Sequence, residues 1–467
     1  MAAARRVVVI GGGISGLATA HALVAGGADV AVEVLEASAR LGGNLRTVRR
    51  DGFLLDEGPD SWVAQKPHAT QLVKALGLGD ALIETIADNR RVYVATRTGL
   101  VAQPAGLFLG IPSRVRPLLR SPLLTPLGKA RVLLDLVLPR GYGRAPGEDE
   151  AVGDFVQRRL GKEALDRLAG PLLGGLFSGD VADLSLMSTY PQIAALEKNG
   201  SVVRGARALM PKRAPGAPST PPKSPFASLR DGMGSLVDAL ERALDGVVRR
   251  ELAVARVEAG RDGAKYAVVD AKGGVHAADE VVLTGPAHLA AALLRGLDAA
   301  LADDLASIRY GSAVAAFLAY READLGRRLD ATGYLVPRDL GRDVVAGTWV
   351  SSKWPGRAPA GHVLVRCFFA ERNLEATDAT LVELAEKEAA FTIGARAEPL
   401  FAHVARFHRG SPQPRVGHAA LIARIRGRLA AHGGLHVAGS AYDGVGISDC
   451  VRQAEQVAAS IRAVARP

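Results

Sequence analysis

Cysteine is nearly missing from this sequence: Cys367 and Cys450 are the only two in 467 residues. Two thiols cannot make a disulfide framework, and the chain reads as one suited to a reducing, cytoplasmic compartment. Aromatic residues make up only 5%, and no dense Lys/Arg tract has Tyr or Phe interleaved in it. A dedicated nucleic-acid surface is therefore not expected, although the net charge of +10 favours anionic substrates or surfaces. No apolar run reaches the ~20 residues of a spanning helix, because Pro, Gly or Arg interrupts each candidate. Nor does the composition suggest a metal site. Arg5 and Arg6 before VVVI imitate an export signal, but the apolar run stops at once in glycine and reads as a buried strand.

What the chain has is glycine, 53 residues of it, and some of it is placed where chemistry needs it. Val7 to Ile10 is a short apolar strand, GGGISG a turn, Leu17 to Val24 a helix and Val30 to Leu35 a second strand: a βαβ crossover. Gly11, Gly13 and Gly16 form G-x-G-x-x-G. The first permits the turn, the second lets backbone approach a pyrophosphate, and the third lets the helix pack on the strand. Ile14 and Ser15 open the helix, whose first N–H groups and dipole favour phosphate. A lone glycine pattern is weak, but Glu36 stands twenty residues past Gly16 at a strand end, with Ala37 beside it, where a ribose hydroxyl would bond it. The continuation ASARLGG, with Arg40, Gly42 and Gly43, has the spacing of flavin-dependent oxidases and points to FAD. At the other end, AGSAYDGVGISDC can set backbone N–H groups against a flavin edge.

The length implies more than one lobe. From Pro67 to about Gly205 the pattern is mostly helical, as in HATQLVKALGLGDALI and VLLDLVLP. PKRAPGAPSTPPKSP, from Pro211 to Pro225, is an exposed linker-like loop. FASLRDGMGSLVDALERAL is strand, turn and helix, short strands follow near Val254 and Tyr266 to Val269, and ADEVVLTGP is a further parallel strand. AVAAFLAY and HVLVRCFF suggest an antiparallel sheet between Tyr310 and Phe369.

GGGISGLA, LEASARLGG, DEGPDSW, PLLGGLFSGD, LSLMSTYPQ, ADEVVLTGPAH and AGSAYDGVGISDCV together resemble the porphyrinogen oxidases of haem synthesis, and the likeness spans nearly the whole chain. The first two blocks also suit the wider superfamily of monoamine oxidases and phytoene desaturases. The resemblance implies a mixed α/β and α+β fold. Its parts would be a discontinuous Rossmann-type FAD-binding domain (1–65, 226–295 and 405–467), a mixed-sheet substrate domain (66–95 and 296–404), a helical, membrane-facing lobe (96–210) and the loop 211–225. It implies oxidation of protoporphyrinogen IX by molecular oxygen, with coproporphyrinogen III as the alternative substrate. The flavin accepts hydride, and no protein residue is assigned a catalytic role. Arg90, with Arg91 behind it, would pair a propionate. Gly175 would line the pocket wall, and Leu335 and Phe368 would sandwich a pyrrole ring. Gly58, Pro59, Asp60 and Ser61 would lie near the isoalloxazine, Val254 would contact adenine through its backbone, and Gly439, Gly446 and Ile447 would line the other flavin edge. His418 is expected to be a structural hydrogen-bonder.

Some residues depart from that pattern. PQP at Pro412 to Pro414 replaces PQY, Phe407 stands where Trp is common, and Ala370 and Glu371 replace a glycine pair, with Glu371 expected to point outward. The stretch holding Arg114, Arg116, Arg120, Lys129, Arg131, Arg140 and Arg144 against a single Asp135 suits peripheral contact with an anionic membrane on the inner face of the cell membrane, or else a solvated basic rim. Two other functions are carried alongside: an amine oxidase, against which AGSAYDG stands where AGE is usual, and a flavoprotein without turnover.

Overall fold

The computed structural model describes residues 4–27, 29–143, 148–210, 223–261 and 263–463. Arg144 and most of the Pro-rich loop therefore lie outside the described residues. The all-β-branched run Val7–Val9 is fully buried and central, as a parallel strand covered on both faces must be. Strand Arg5–Ile10 pairs in parallel with Val30–Leu35 on one side and Glu280–Leu283 on the other, and Val248–Arg249 and Leu435–Val437 complete five parallel strands. Helices Ile14–Ala25, Pro67–Ala75, Gly234–Ala243 and Ile447–Ala463 share the apolar core on one face. The antiparallel strands Val254–Ala259, Tyr266–Asp270 and Val275–Ala278 cover the other face, with helices Ala287–Leu294, Ala299–Ala306 and His418–His432.

A second, seven-stranded sheet runs in the order Phe401–Pro412, Tyr310–Arg321, His362–Phe369, Val344–Trp349, Gly333–Leu335, Val92–Ala95 and Leu100–Ala102. It is antiparallel except where Gly333–Leu335 lies parallel to Val92–Ala95. Alternation in HVLVRCFF sends Val363, Val365, Cys367 and Phe369 into a core with helix Asp378–Ile393. Leu364, Arg366 and Phe368 take the opposite face, where Leu364 packs on Phe53 and Leu55 and Arg366 reaches the carbonyls of Asp56 to Gly58.

The expected mostly helical span 67–205 is interrupted. Short strands occupy Leu82–Glu84, Val92–Ala95, Leu100–Ala102, Leu107–Phe108 and Ile111–Pro112, because tertiary pairing overrides local pattern there. The helical lobe proper begins near Val115 and packs its own core of Phe155, Leu168, Leu173, Leu184 and Ile193. The expected boundary at 404/405 falls inside strand Phe401–Pro412, and Ala69, Leu72 and Val73 pack into the core of the first sheet.

Candidate active site

Exclusion of side chains shapes the first turn. Gly11 sits at φ +110°, and Thr284 clamps it by donating Oγ1 to the carbonyls of Ile10 (2.9 Å) and Gly11 (3.0 Å). A methyl group at Gly16 would overlap the Gly11 carbonyl oxygen, so only glycine lets the helix start against the strand. Gly13 is the N-cap of helix Ile14–Ala25, and no side chain caps it. The N–H groups around Ile14 and Ser15 suit an anion. The second glycine pair closes on this turn: Gly42 N–H donates to the Gly12 carbonyl at 2.8 Å, and a methyl on Gly43 would come 3.3 Å from Gly13 Cα. Two backbones thus meet with no side chain between them, a cradle that a Cβ would fill and that fits a dinucleotide pyrophosphate.

Glu36 Oε2 accepts the Gly12 N–H at 2.6 Å, and Oε1 accepts the Ser38 N–H at 2.8 Å. Leu252 N–H donates to the Glu36 carbonyl and Glu251 N–H to that of Ser38, so the segment entering Val254 runs alongside Ala37. Arg40 donates to the carbonyls of Leu41 (2.9 Å), Gly43 (2.6 Å) and Leu45 (3.1 Å). It braces the loop that carries the second glycine pair.

The loop Gly58–Ser61 continues the cradle. A methyl at Gly58 would overlap the Asn44 carbonyl oxygen and lie 3.7 Å from Phe407 Cζ. Pro59 is exposed beside it. Asp60 accepts hydrogen bonds from Lys353 Nζ (2.7 and 3.0 Å), Trp354 Nε1 (2.9 Å) and Ser61 Oγ (2.7 Å). Burial alone would raise its carboxyl, but the Lys353 ammonium and these bonds hold it well below the usual carboxylate range. From the C-terminal loop, Gly439 (φ +149°) backs onto Thr284 and Ser15. Gly446 and Ile447 open the last helix, whose Asp449 is held by Lys66 at 2.7 Å to each oxygen.

Strand register brings the two residues expected to sandwich a ring opposite one residue. Leu335 and Phe368 each stand opposite Ala346, Leu335 also opposes Val94, and Phe368 opposes Ala315, which in turn opposes Ala405. Residues directly opposite share a face, so Phe368 and Ala315 lie on the face of Arg366, which reaches the Gly58 carbonyl at 2.9 Å, while Val94 at the far end of the row packs into the core of the helical lobe. Gly175 ends helix Gly170–Gly175, and a Cβ there would meet nothing within 4 Å. Arg90 is engaged locally instead. It donates to Thr85 Oγ1 (2.8 Å), the Thr85 carbonyl (3.1 Å) and Glu84 Oε2 (3.3 Å), so a propionate would have to share it with Glu84. Arg91 is exposed and pairs Asp330 at 3.3 Å.

The departures have structural roles. Glu371 is exposed and accepts the Ser312 N–H at 3.1 Å. Gln413 of PQP donates to the Phe177 carbonyl at 2.6 Å, tying the sheet to the helical lobe. His418 is buried, and burial lowers its basicity while the carbonyls of Tyr442 and Ala441 oppose that shift. Sequence reading missed Thr284, Lys353, Trp354 and Arg366. The signal for Arg366 was there, since a lone charge inside the apolar run HVLVRCFF must be buried or break the strand.

Comparison with known proteins agrees with this geometry. Residues 14–462 match the family described as flavin containing amine oxidoreductase, and the chain belongs to that family. Its cofactor is FAD, in keeping with the glycine cradle. Within the family the chain is 32% identical to the coproporphyrinogen III oxidase of Bacillus subtilis (strain 168), over 96% of each protein. It is 35% identical to that of Propionibacterium freudenreichii subsp. freudenreichii, over 97% of this chain and 90% of that one. A crystal structure from Exiguobacterium sp. 255-15, provisionally named protoporphyrinogen oxidase, superposes with a TM-score of 0.86 at 31% identity, covering 98% of this chain and 99% of that one.

Proposed function

We propose that the chain oxidises a porphyrinogen to its porphyrin and that coproporphyrinogen III is the substrate it turns over best. The observation that carries the reading is the row Leu335, Ala346, Phe368 and Ala315 on the sheet face that Arg366 joins to Gly58, in a chain alike over nearly its full length to porphyrinogen oxidases. The sequence reading put protoporphyrinogen IX first; the names of the two bacterial relatives support the other order. Protoporphyrinogen IX is the second reading, favoured by the name of the Exiguobacterium structure.

Bound FAD supplies a two-electron acceptor that molecular oxygen can reoxidise, so three rounds remove six electrons and six protons and leave three molecules of hydrogen peroxide per porphyrin. The protein contributes shape and charge. Phe368 and Leu335 offer flat apolar contact to a macrocycle, Gly175 leaves room at the wall, and Arg90 pairs a propionate while sharing its guanidinium with Glu84. Asp60, held low by Lys353, is a fixed anion and a poor proton acceptor near neutrality.

The test is porphyrin fluorescence in air from the FAD-loaded protein with each porphyrinogen separately, corrected for autoxidation. A higher kcat/KM with coproporphyrinogen III supports the reading, and no enzymatic rise with either substrate removes it. Arg90→Ala is expected to raise KM roughly tenfold or more, from the loss of a charge-assisted pair worth about 1.5–3 kcal/mol, with flavin content unchanged. Gly175→Ala is expected to leave the melting temperature and bound FAD as they are, since no protein atom lies within 4 Å of the added methyl, while KM rises.

The described residues include no helix long and apolar enough to cross a membrane. Peripheral contact belongs to this proposal. Leu127 and Val137 are 83% and 75% exposed, among the exposed Arg114, Arg116, Arg120 and Arg140. Arg131 instead caps helix Val152–Leu160 through its carbonyls. Co-flotation with anionic but not neutral vesicles, lost in Leu127→Ser/Val137→Ser, is the expected result.

A further inference from the structure

We propose that Arg366 is a positioning residue of the flavin site: a buried cation without a carboxylate of its own, which favours negative charge arriving beside Gly58 and fixes the ring of Phe368. The inference rests on the placement of the flavin beside Gly58 and not on the identity of the substrate.

Arg366 is 9% exposed. Its guanidinium donates to the carbonyls of Asp56 (3.2 Å), Glu57 and Gly58 (2.9 Å), which orients the loop that continues the cradle. Its other contacts are aromatic: it lies 4.3 Å from the Phe368 ring centroid and 5.0 Å from that of Phe317. One side chain thus joins the loop beside the cofactor to the apolar row proposed to hold the substrate.

Three carboxylates stand nearby, and each already has a cation. Asp56 pairs Arg357 at 3.2 Å, Glu57 pairs Arg46 at 2.7 Å, and Asp60 pairs Lys353 at 2.7 Å. Glu57 also bonds His403. Among the described residues no carboxylate lies within ion-pair distance of Arg366, and its Nε is buried without a hydrogen-bond partner. Burial lowers its pKa to about 10, which the three carboxylates only partly oppose, so it stays charged near neutrality. Arg366, Arg357, Arg46 and Lys353 set against Asp56, Glu57 and Asp60 therefore leave a surplus of positive charge. Such an arrangement is costly for stability. It is suited to a site that gains negative charge when a hydride is taken up, because fixed charge in a poorly screened interior acts strongly.

The decisive measurement is the midpoint potential of the bound flavin, read by dye-coupled reduction without porphyrinogen, so that it does not depend on the proposed reaction. Arg366→Met keeps length and loses charge, and it is expected to lower the potential by at least about 30 mV, a tenfold shift for a two-electron couple. Arg366→Lys keeps the charge but not the fork. It is expected to hold the potential near the wild-type value while raising KM, because Phe368 is no longer fixed. Asp60→Asn enlarges the positive surplus and is expected to shift the potential upward. An unchanged potential in flavin-loaded Arg366→Met, or shifts of the same sign in Arg366→Met and Asp60→Asn, overturns the proposal. If Arg366→Met does not retain flavin, the Asp60→Asn shift decides: an upward shift supports the proposal, and no shift or a downward one ends it. Normal potential shifts in a protein that turns over neither porphyrinogen leave this inference standing and remove the functional reading instead.

Discussion

Gly16→Ala is expected to yield protein with less than roughly a tenth of the wild-type flavin and a sharply lower melting temperature. The added methyl overlaps the Gly11 carbonyl oxygen and lies 2.7 Å from Thr284 Oγ1. Thr284 could rotate away, but Gly11 cannot, because its φ of +110° is fixed by the turn and its N–H is bonded to Leu35 at 2.9 Å. Helix Ile14–Ala25 must therefore shift off the sheet, at the upper end of the about 1–3 kcal/mol typical of overpacking or beyond it. Lost flavin removes the further stabilisation that ligand binding gives. Gly13→Ala is the matched control. Its methyl meets only Gly43 Cα at 3.9 Å, so the fold should survive while the methyl occupies the cradle. Flavin absorbance per chain with the melting temperature of both variants checks this: flavin loss with a large destabilisation in Gly16→Ala, flavin loss alone in Gly13→Ala. Full flavin in Gly13→Ala would place the pyrophosphate elsewhere.

That cradle was the most legible part of the chain, since glycine spacing encodes a backbone approach directly. The strand Val30–Leu35 and the register that sets Leu335 and Phe368 on one face follow from local alternation once the strands exist. What the sequence hid was long-range. Arg366 reaches the carbonyls of residues more than three hundred positions earlier, and Lys353 meets Asp60 from a similar distance. No periodicity carries such pairings. The strands between Leu82 and Pro112 are hard to read for the same reason: two to four residues of pattern are too few, and their partners lie far off, as when Leu82–Glu84 pairs with Phe226–Leu229. Arg90 shows the converse, a residue nominated by resemblance whose side chain is engaged with its own turn.

Asp135 was read as the lone acid of a basic surface, yet it is fully buried with Arg159, each 0% exposed, and it organises the helical lobe. Its Oδ1 accepts Arg159 Nε at 2.7 Å, and its Oδ2 accepts Ser201 Oγ and the Val203 N–H at 3.1 Å. One carboxylate thus ties the end of helix Pro126–Leu134, helix Val152–Leu160 and the start of helix Val202–Leu209. Asp135→Ala is expected to cost about 3–5 kcal/mol, because Arg159 is left buried with only Glu197 at 3.4 Å. Replacing both partners with apolar residues, Asp135→Leu/Arg159→Met, should cost less than the single change, although the carbonyls of Pro139 and Gly200 then lose their donor. Trp62, Trp349 and Trp354 all lie outside this lobe, so tryptophan fluorescence is the wrong probe. Circular dichroism and limited proteolysis within residues 148–210 are the right ones. Flavin content should hold in Asp135→Ala, since the cradle is built from other elements. KM should rise, because Leu173 and Phe177, which flank Gly175, belong to the core this pair supports. Loss of flavin in step with the loosened lobe would mean instead that the lobe and the cradle unfold as one unit.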